Sequence, residues 1–120
     1  MNFIEGEIIL VDKPLNWTSF DVVNKIRYEI KKKLGLKKIK VGHAGTLDPL
    51  ATGLLVICSG KKTKTINQFI QEYKSYNGII QLGSTTPSFD METSIDKTFP
   101  VKHINTDLIE KIRLDFLNSK

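Results

Sequence analysis

Cysteine is almost missing from this chain. Cys58 is the one cysteine in 120 residues, so an internal disulfide is excluded. It lies in the apolar run Leu54-Leu55-Val56-Ile57-Cys58 and reads as a small buried residue. Histidine is nearly as scarce. His43 and His103 stand far apart with no ligand cluster at zinc-like spacing, and no metal is expected. Apolar runs of membrane-spanning length are missing too, as is an amino-terminal signal segment. With the lone cysteine, these absences fit the cytosol. Repeats, low-complexity tracts and linkers are also lacking. The length suits one domain with a modest core, and 40% hydrophobic and 26% charged residues suit a globular one.

Arginine is rare, with only Arg27 and Arg113, so the positive charge is carried by lysine. The net charge is +5, unevenly placed. Residues 1–64 hold 12 Lys/Arg against 6 Asp/Glu, whereas residues 65–120 hold 6 against 7. Six lysines fall in the ten residues Lys31–Lys40, among them Lys37, Lys38 and Lys40. Such a stretch can attract the phosphates of a nucleic acid without reading its sequence. It can equally be a solvated helix end.

Taken in order, Ile8-Ile9-Leu10-Val11 reads as a buried strand that ends in the loop Asp12–Trp17. Thr18 is placed to cap a helix, and Asp21, three residues on, completes a capping box. Val23, Ile26, Ile30 and Leu34 share one helical face. Lys31–Lys33 suit the negative end of the helix dipole, and Gly35 suits the C-terminal cap. A second strand is expected over Leu54–Cys58, then an amphipathic helix from about Thr63 to Glu72 and a strand from Ser75 to Leu82, with Tyr76, Ile80 and Leu82 on one face. Gly60-Lys61-Lys62-Thr63 looks like the tail of a phosphate-binding loop but lacks the earlier glycine, and Lys61 is not followed by Ser or Thr. Lys97–Val101 reads as a short strand. Asn105 or Thr106 caps a last helix whose Leu108, Ile109, Ile112 and Phe116 face inward.

Between the first helix and the second strand lies Gly42-His43-Ala44-Gly45-Thr46-Leu47-Asp48-Pro49-Leu50-Ala51-Thr52-Gly53. Its three glycines allow sharp turns and close approach to another molecule. Pro49 pushes Asp48 out of the helical region. Asp48 therefore sits extended on a loop between stiff neighbours. On spacing alone, its carboxylate is more simply an acceptor for turn N–H groups than a group aimed at a reacting centre.

The segment "GHAGTLDPLATGLL" closely resembles the signature of the tRNA pseudouridine synthase B (TruB) family. "DKPLNWTSFDVV" resembles that family's first motif, with Asn16 where the family usually has glycine, a residue able to keep positive φ. "KSYNGIIQLG" resembles a strand of the same family. The resemblance implies isomerisation of uridine-55 to pseudouridine in the T loop of tRNA, with no cofactor. It implies that Asp48 is the catalytic residue, and that Tyr76 packs on the target base and serves as an acid/base group. It implies that His43 inserts near the position vacated by a flipped nucleotide, although a hydrogen-bonded loop histidine is the plain alternative. Gly42, Gly45, Thr46, Leu47 and Gly53 would line the nucleotide. Lys13 would either order the catalytic loop or touch phosphate. Thr86-Pro87-Ser88-Phe89-Asp90 keeps part of a family pattern, with Pro87 where aspartate is common. Asp90 would help to hold the site or be an ordinary solvated aspartate.

The implied fold is α+β, a mixed and mainly antiparallel sheet with flanking helices. The resemblance covers the first part of the family pattern. An arginine that pairs with the aspartate, an RNA-docking insertion and a C-terminal RNA-binding domain, all features of the family, are not recognisable here. Residues 1–120 are thus expected to be the N-terminal portion of a catalytic domain, and a monomer if complete. The alternatives are a non-catalytic RNA-binding remnant and half of a split enzyme. An incomplete sheet would leave an apolar face or a strand edge open, and marginal stability is expected.

Overall fold

The computed structural model describes residues 1–119 and divides into two compact units, Met1–Ser75 and the residues from Tyr76 onward. In the first, strand β1 (Ile8–Lys13) leads to helix α1 (Ser19–Leu34), followed by β2 (Val41–Ala44), β3 (Gly53–Ser59), a tight helical turn (Gly60–Thr65) and the short helix α2 (Ile66–Ile70). The strands form one antiparallel sheet in the order β1-β3-β2, with Leu10 opposite Val56 and His43 opposite Ile57. The element class is α+β, as expected.

Helix α1 begins and ends where its chemistry dictates. The Thr18 hydroxyl accepts from the Asp21 N–H, the Asp21 carboxylate accepts from the Thr18 N–H, and Gly35 closes the helix in the left-handed conformation with φ 63°. Val22, Val23 and Ile30 from α1 pack on Val41, Leu55 and Ile57 of the sheet to form the core. Ile26 is partly buried against this cluster, while Leu34 is exposed. Ile57 is fully buried, and truncating such a residue to alanine costs about 2–5 kcal/mol.

The first strand is not buried on both sides. Ile9 and Val11 face the core, but Leu10 on β1 and Leu54 on β3 are 67% and 66% exposed. An antiparallel sheet packed on one side leaves its other side open in this way. The expected helix from Thr63 is also divided. The Thr63 and Thr65 hydroxyls donate to the carbonyls of Gly60 and Lys62, three residues back. These local bonds accompany the tighter turn, and α-helix starts only at Ile66.

In the second unit, β4 (Ser84–Thr85) pairs antiparallel with β5 (Lys97–Thr98), and α3 (Thr106–Asn118) follows. Asn105 is its cap, accepting from the Leu108 N–H. The strand expected over Ser75–Leu82 is not formed, and Ile79, Ile80 and Leu82 are exposed. The apolar stripe of α3 is open as well, with Ile109, Ile112 and Phe116 exposed and Leu108 only partly covered. Period-two and period-3.6 patterns state which residues share a face. They become strands or buried helices only where a partner edge or surface is supplied.

Candidate active site

The glycine-rich segment is the connection between β2 and β3, two neighbouring antiparallel strands. Gly42 and His43 belong to β2 itself, Gly53 begins β3, and Gly45, Thr46, Leu47 and Asp48 lie in the loop between them. Gly45 and Gly53 have φ of 94° and 124°, a region that side chains with a Cβ rarely enter. Pro49 and Leu50 are the central residues of a turn closed by the Ala51 N–H on the Asp48 carbonyl at 2.9 Å. Leu50 keeps a negative φ, so the turn is of the type I kind, with proline at its favoured position.

Three residues fix this loop from outside. The Asn16 N–H donates to the Pro49 carbonyl at 2.7 Å, and Asn16 has φ 66°, the positive value expected where the family motif has glycine. Lys13 is 0% exposed, and its ammonium donates to the carbonyls of Pro14 at 2.9 Å, Trp17 at 2.5 Å and Pro49 at 3.4 Å. That is the loop-ordering geometry. An ammonium turned inward onto three carbonyls does not reach a phosphate in solution, so the alternative role for Lys13 is not supported. Ser19, missed as a site residue in the sequence, accepts from the Leu47 N–H at 2.8 Å and donates to the Leu47 carbonyl at 3.1 Å.

The Asp48 carboxylate itself is exposed and has no hydrogen-bond or ion-pair partner among the described residues. The plain reading, a side chain occupied by turn N–H groups, is not what the loop adopts. It is the backbone carbonyl of Asp48 that the turn uses. His43 is half-buried, and its Nδ1 lies 2.8 Å from the Gly45 carbonyl. A carbonyl only accepts, so Nδ1 carries the proton and Nε2 is left free of that bond. Thr46 is exposed and Leu47 is partly packed against the core. Lys74, not singled out in the sequence, also lies close, its Cε 3.8 Å from where a Cβ on Gly45 would be.

Lys37, Lys38 and Lys40 are exposed on the segment between α1 and β2 and take part in no ion pair among the described residues. Arg27 is turned to structural use, donating to the Val41 carbonyl at 3.0 Å and to Asn24 Oδ1 at 2.9 Å. Tyr76 and Asp90 belong to the second unit. Tyr76 is 72% exposed and outside any strand. Asp90 accepts from the Ser88 hydroxyl at 2.6 Å and from the Glu92 N–H at 2.9 Å. These two donors, the hydroxyl first, hold its carboxyl below the ordinary carboxylate range. Among the described residues no three His, Cys, Asp or Glu side chains converge where a metal ion could sit, and no helix is long and apolar enough to cross a membrane.

Comparison with known proteins bears on this loop. A family model described as TruB family pseudouridylate synthase (N terminal domain) matches residues 31–119. The chain is 61% identical over 117 residues to the tRNA pseudouridine synthase B of Phocaeicola vulgatus, which covers 98% of this chain and 50% of that protein. It is 53% identical over 119 residues to the protein of the same name from Parabacteroides distasonis, covering 99% and 51%. It is 55% identical over 116 residues to that of Flavobacterium johnsoniae, covering 96% and 51%. The chain spans about half the length of the curated relatives it matches.

Proposed function

This chain belongs to the TruB family of pseudouridylate synthases, and from that premise we propose that its Asp48 loop carries the catalytic aspartate of a tRNA pseudouridine synthase acting on uridine-55 of the T loop. The observation that carries this reading is the state of Asp48: its backbone is tied on both sides, while its carboxylate is exposed and unpaired among the described residues. A structural aspartate uses its oxygens locally. This one leaves them for another molecule.

The chemistry asks for such a group. The N1–C1′ bond of uridine breaks, a C5–C1′ bond forms, the proton on C5 leaves, and N1 regains one. The sum is an isomerisation, with nothing oxidised and nothing added. As the glycosidic bond opens, C1′ gains oxocarbenium character, which an ionised carboxylate stabilises or captures, as in glycosidases. The delocalised uracil anion is a better leaving group than an alkoxide, so a second carboxyl acid is not required. Attack of Asp48 on C6 of the base is the other route. Tyr76 stacks on the base and relays its proton. The nucleotide must first leave the stack, at about a few kcal/mol. His43, with Nε2 available, fills the vacated position. Gly42, Gly45 and Gly53 admit the nucleotide backbone, beside Thr46 and Leu47. Asp90, held ionised by its two donors, supports the site. Lys37, Lys38 and Lys40 meet the phosphates of the T arm, and the setting is the cytosol.

The test uses T-arm RNA tritiated at uracil C5. Release of tritium to water that disappears in Asp48→Asn supports the isomerase. RNA binding without release would make the chain an RNA-binding piece, or one half of an enzyme that needs another chain.

A further inference from the structure

We propose that Ser19 is a positioning residue for Asp48, acting through Leu47; the inference rests on the isomerase reading of the Asp48 loop. Thr18 and Ser19 are adjacent hydroxyl residues at the start of α1, and they do different work. Thr18 is the cap, and with Asp21 it completes the capping box. The helix therefore leaves the Ser19 hydroxyl for another partner. Ser19 is nonetheless 2% exposed, and a hydroxyl that far from water must find a partner. It finds both halves of one residue, 28 positions away. Its oxygen accepts from the Leu47 N–H at 2.8 Å and its proton goes to the Leu47 carbonyl at 3.1 Å.

The consequence follows from covalent geometry. The Leu47 N–H belongs to the peptide plane before Leu47, and the Leu47 carbonyl to the plane between Leu47 and Asp48. One hydroxyl thus fixes two successive planes. The next plane, between Asp48 and Pro49, is held by the Asp48 carbonyl in the Pro49-Leu50 turn. Both planes flanking the Asp48 Cα are then constrained, and with them its φ and ψ. Only the two side-chain torsions remain free. The exposed carboxylate sweeps a small arc instead of wandering with the loop, and this preorganisation is what reaction at a single carbon requires.

The experiment compares the whole chain with Ser19→Ala, Ser19→Cys and Thr18→Ala. Cysteine nearly fills the serine site but hydrogen-bonds weakly. It serves if the alanine variant folds poorly. Two readouts are taken: amide hydrogen exchange at Leu47 relative to Leu55 and Ile57 of β3, and the kinetics of tritium release from T-arm RNA. Removing the hydroxyl is expected to speed Leu47 exchange about tenfold or more, the scale of one lost hydrogen bond, beyond any change in β3. It is expected to lower kcat roughly 10- to 100-fold with KM little changed. Thr18→Ala weakens the helix but spares the clasp, so it keeps the wild-type kcat and shows no selective change at Leu47. Leu47 exchange that merely follows β3 overturns the proposal, and so does selective exchange with wild-type kcat. If the wild type itself releases no tritium, isomerase activity of this chain alone falls, and the exchange arm alone then decides whether Ser19 holds the Asp48 segment.

Discussion

Lys13 Nζ lies 3.4 Å from the carbonyl oxygen of Pro49, a residue 36 positions further along the chain, and the ammonium is fully buried between them. A lysine is rarely sealed in this way unless its charge is matched by acceptors. Here the acceptors are three carbonyls, two from its own loop and one from the loop that carries Asp48. Replacing Lys13 with methionine keeps most of the stem and removes the donor. The expected loss is about 1–3 kcal/mol, the cost of carbonyls left without a partner, read from urea denaturation. A loss under about 0.5 kcal/mol, the range of a neutral surface change, would mean that the ammonium does not secure the loop.

Asp48 should behave in the opposite manner. With no partner among the described residues for its carboxylate, Asp48→Asn is expected to change unfolding free energy by less than about 0.5 kcal/mol. Tritium release should fall by roughly 10²-fold or more, the scale of removing a preorganised charge from a reacting centre. Circular dichroism melts and the release assay on the same preparation measure both. A variant that loses stability and activity together would mark Asp48 as a structural residue.

The capping box gives an acid-side prediction. The backbone N–H of Thr18, then its hydroxyl, lower the Asp21 pKa below its ordinary value. The folded value is thus the depressed one. The box therefore contributes its stability above the unfolded aspartate pKa of about 3.9 and loses it as the pH falls through the lower folded value. The melting temperature of the wild type should drop below about pH 4 more than that of Asp21→Asn. Equal acid slopes for the two proteins would show that the carboxylate does not stabilise the start of α1.

The lysines between α1 and β2 make a salt prediction. If Lys37, Lys38 and Lys40 each meet a phosphate, changing them to glutamine weakens T-arm binding at every sequence tested. The slope of log K against log salt should then shrink by about 0.7–0.9 for each phosphate no longer neutralised. Filter binding at several salt concentrations measures it. An unchanged slope would make these lysines a solvated surface.

Local chemistry made part of this molecule legible in its sequence. Thr18, Asp21 and Gly35 mark the ends of α1 because the bonds they make lie within a few residues. Asn16 could be read as a tolerable substitute for glycine because its backbone preference is its own, and φ is 66°. The Asp48 loop announced itself through glycine and proline. What stayed hidden depends on distant partners. Ser19 gave no sign that its hydroxyl would clasp Leu47, and Lys13 gave none that it would be the most deeply sealed cation of the first unit. The reading over Ser75–Leu82 failed for the same reason. Alternation names a face but does not provide the neighbouring strand that would make one.

The Asp48 loop joins two strands that pair with each other, so its ends can meet early, while little of the chain has been ordered. The clasps that steady it come from much further upstream, at Lys13, Asn16 and Ser19. A folding chain can therefore own the hairpin before it owns a stiff aspartate. Competence would then arrive as a late event, when β1 and α1 close over a loop already in place.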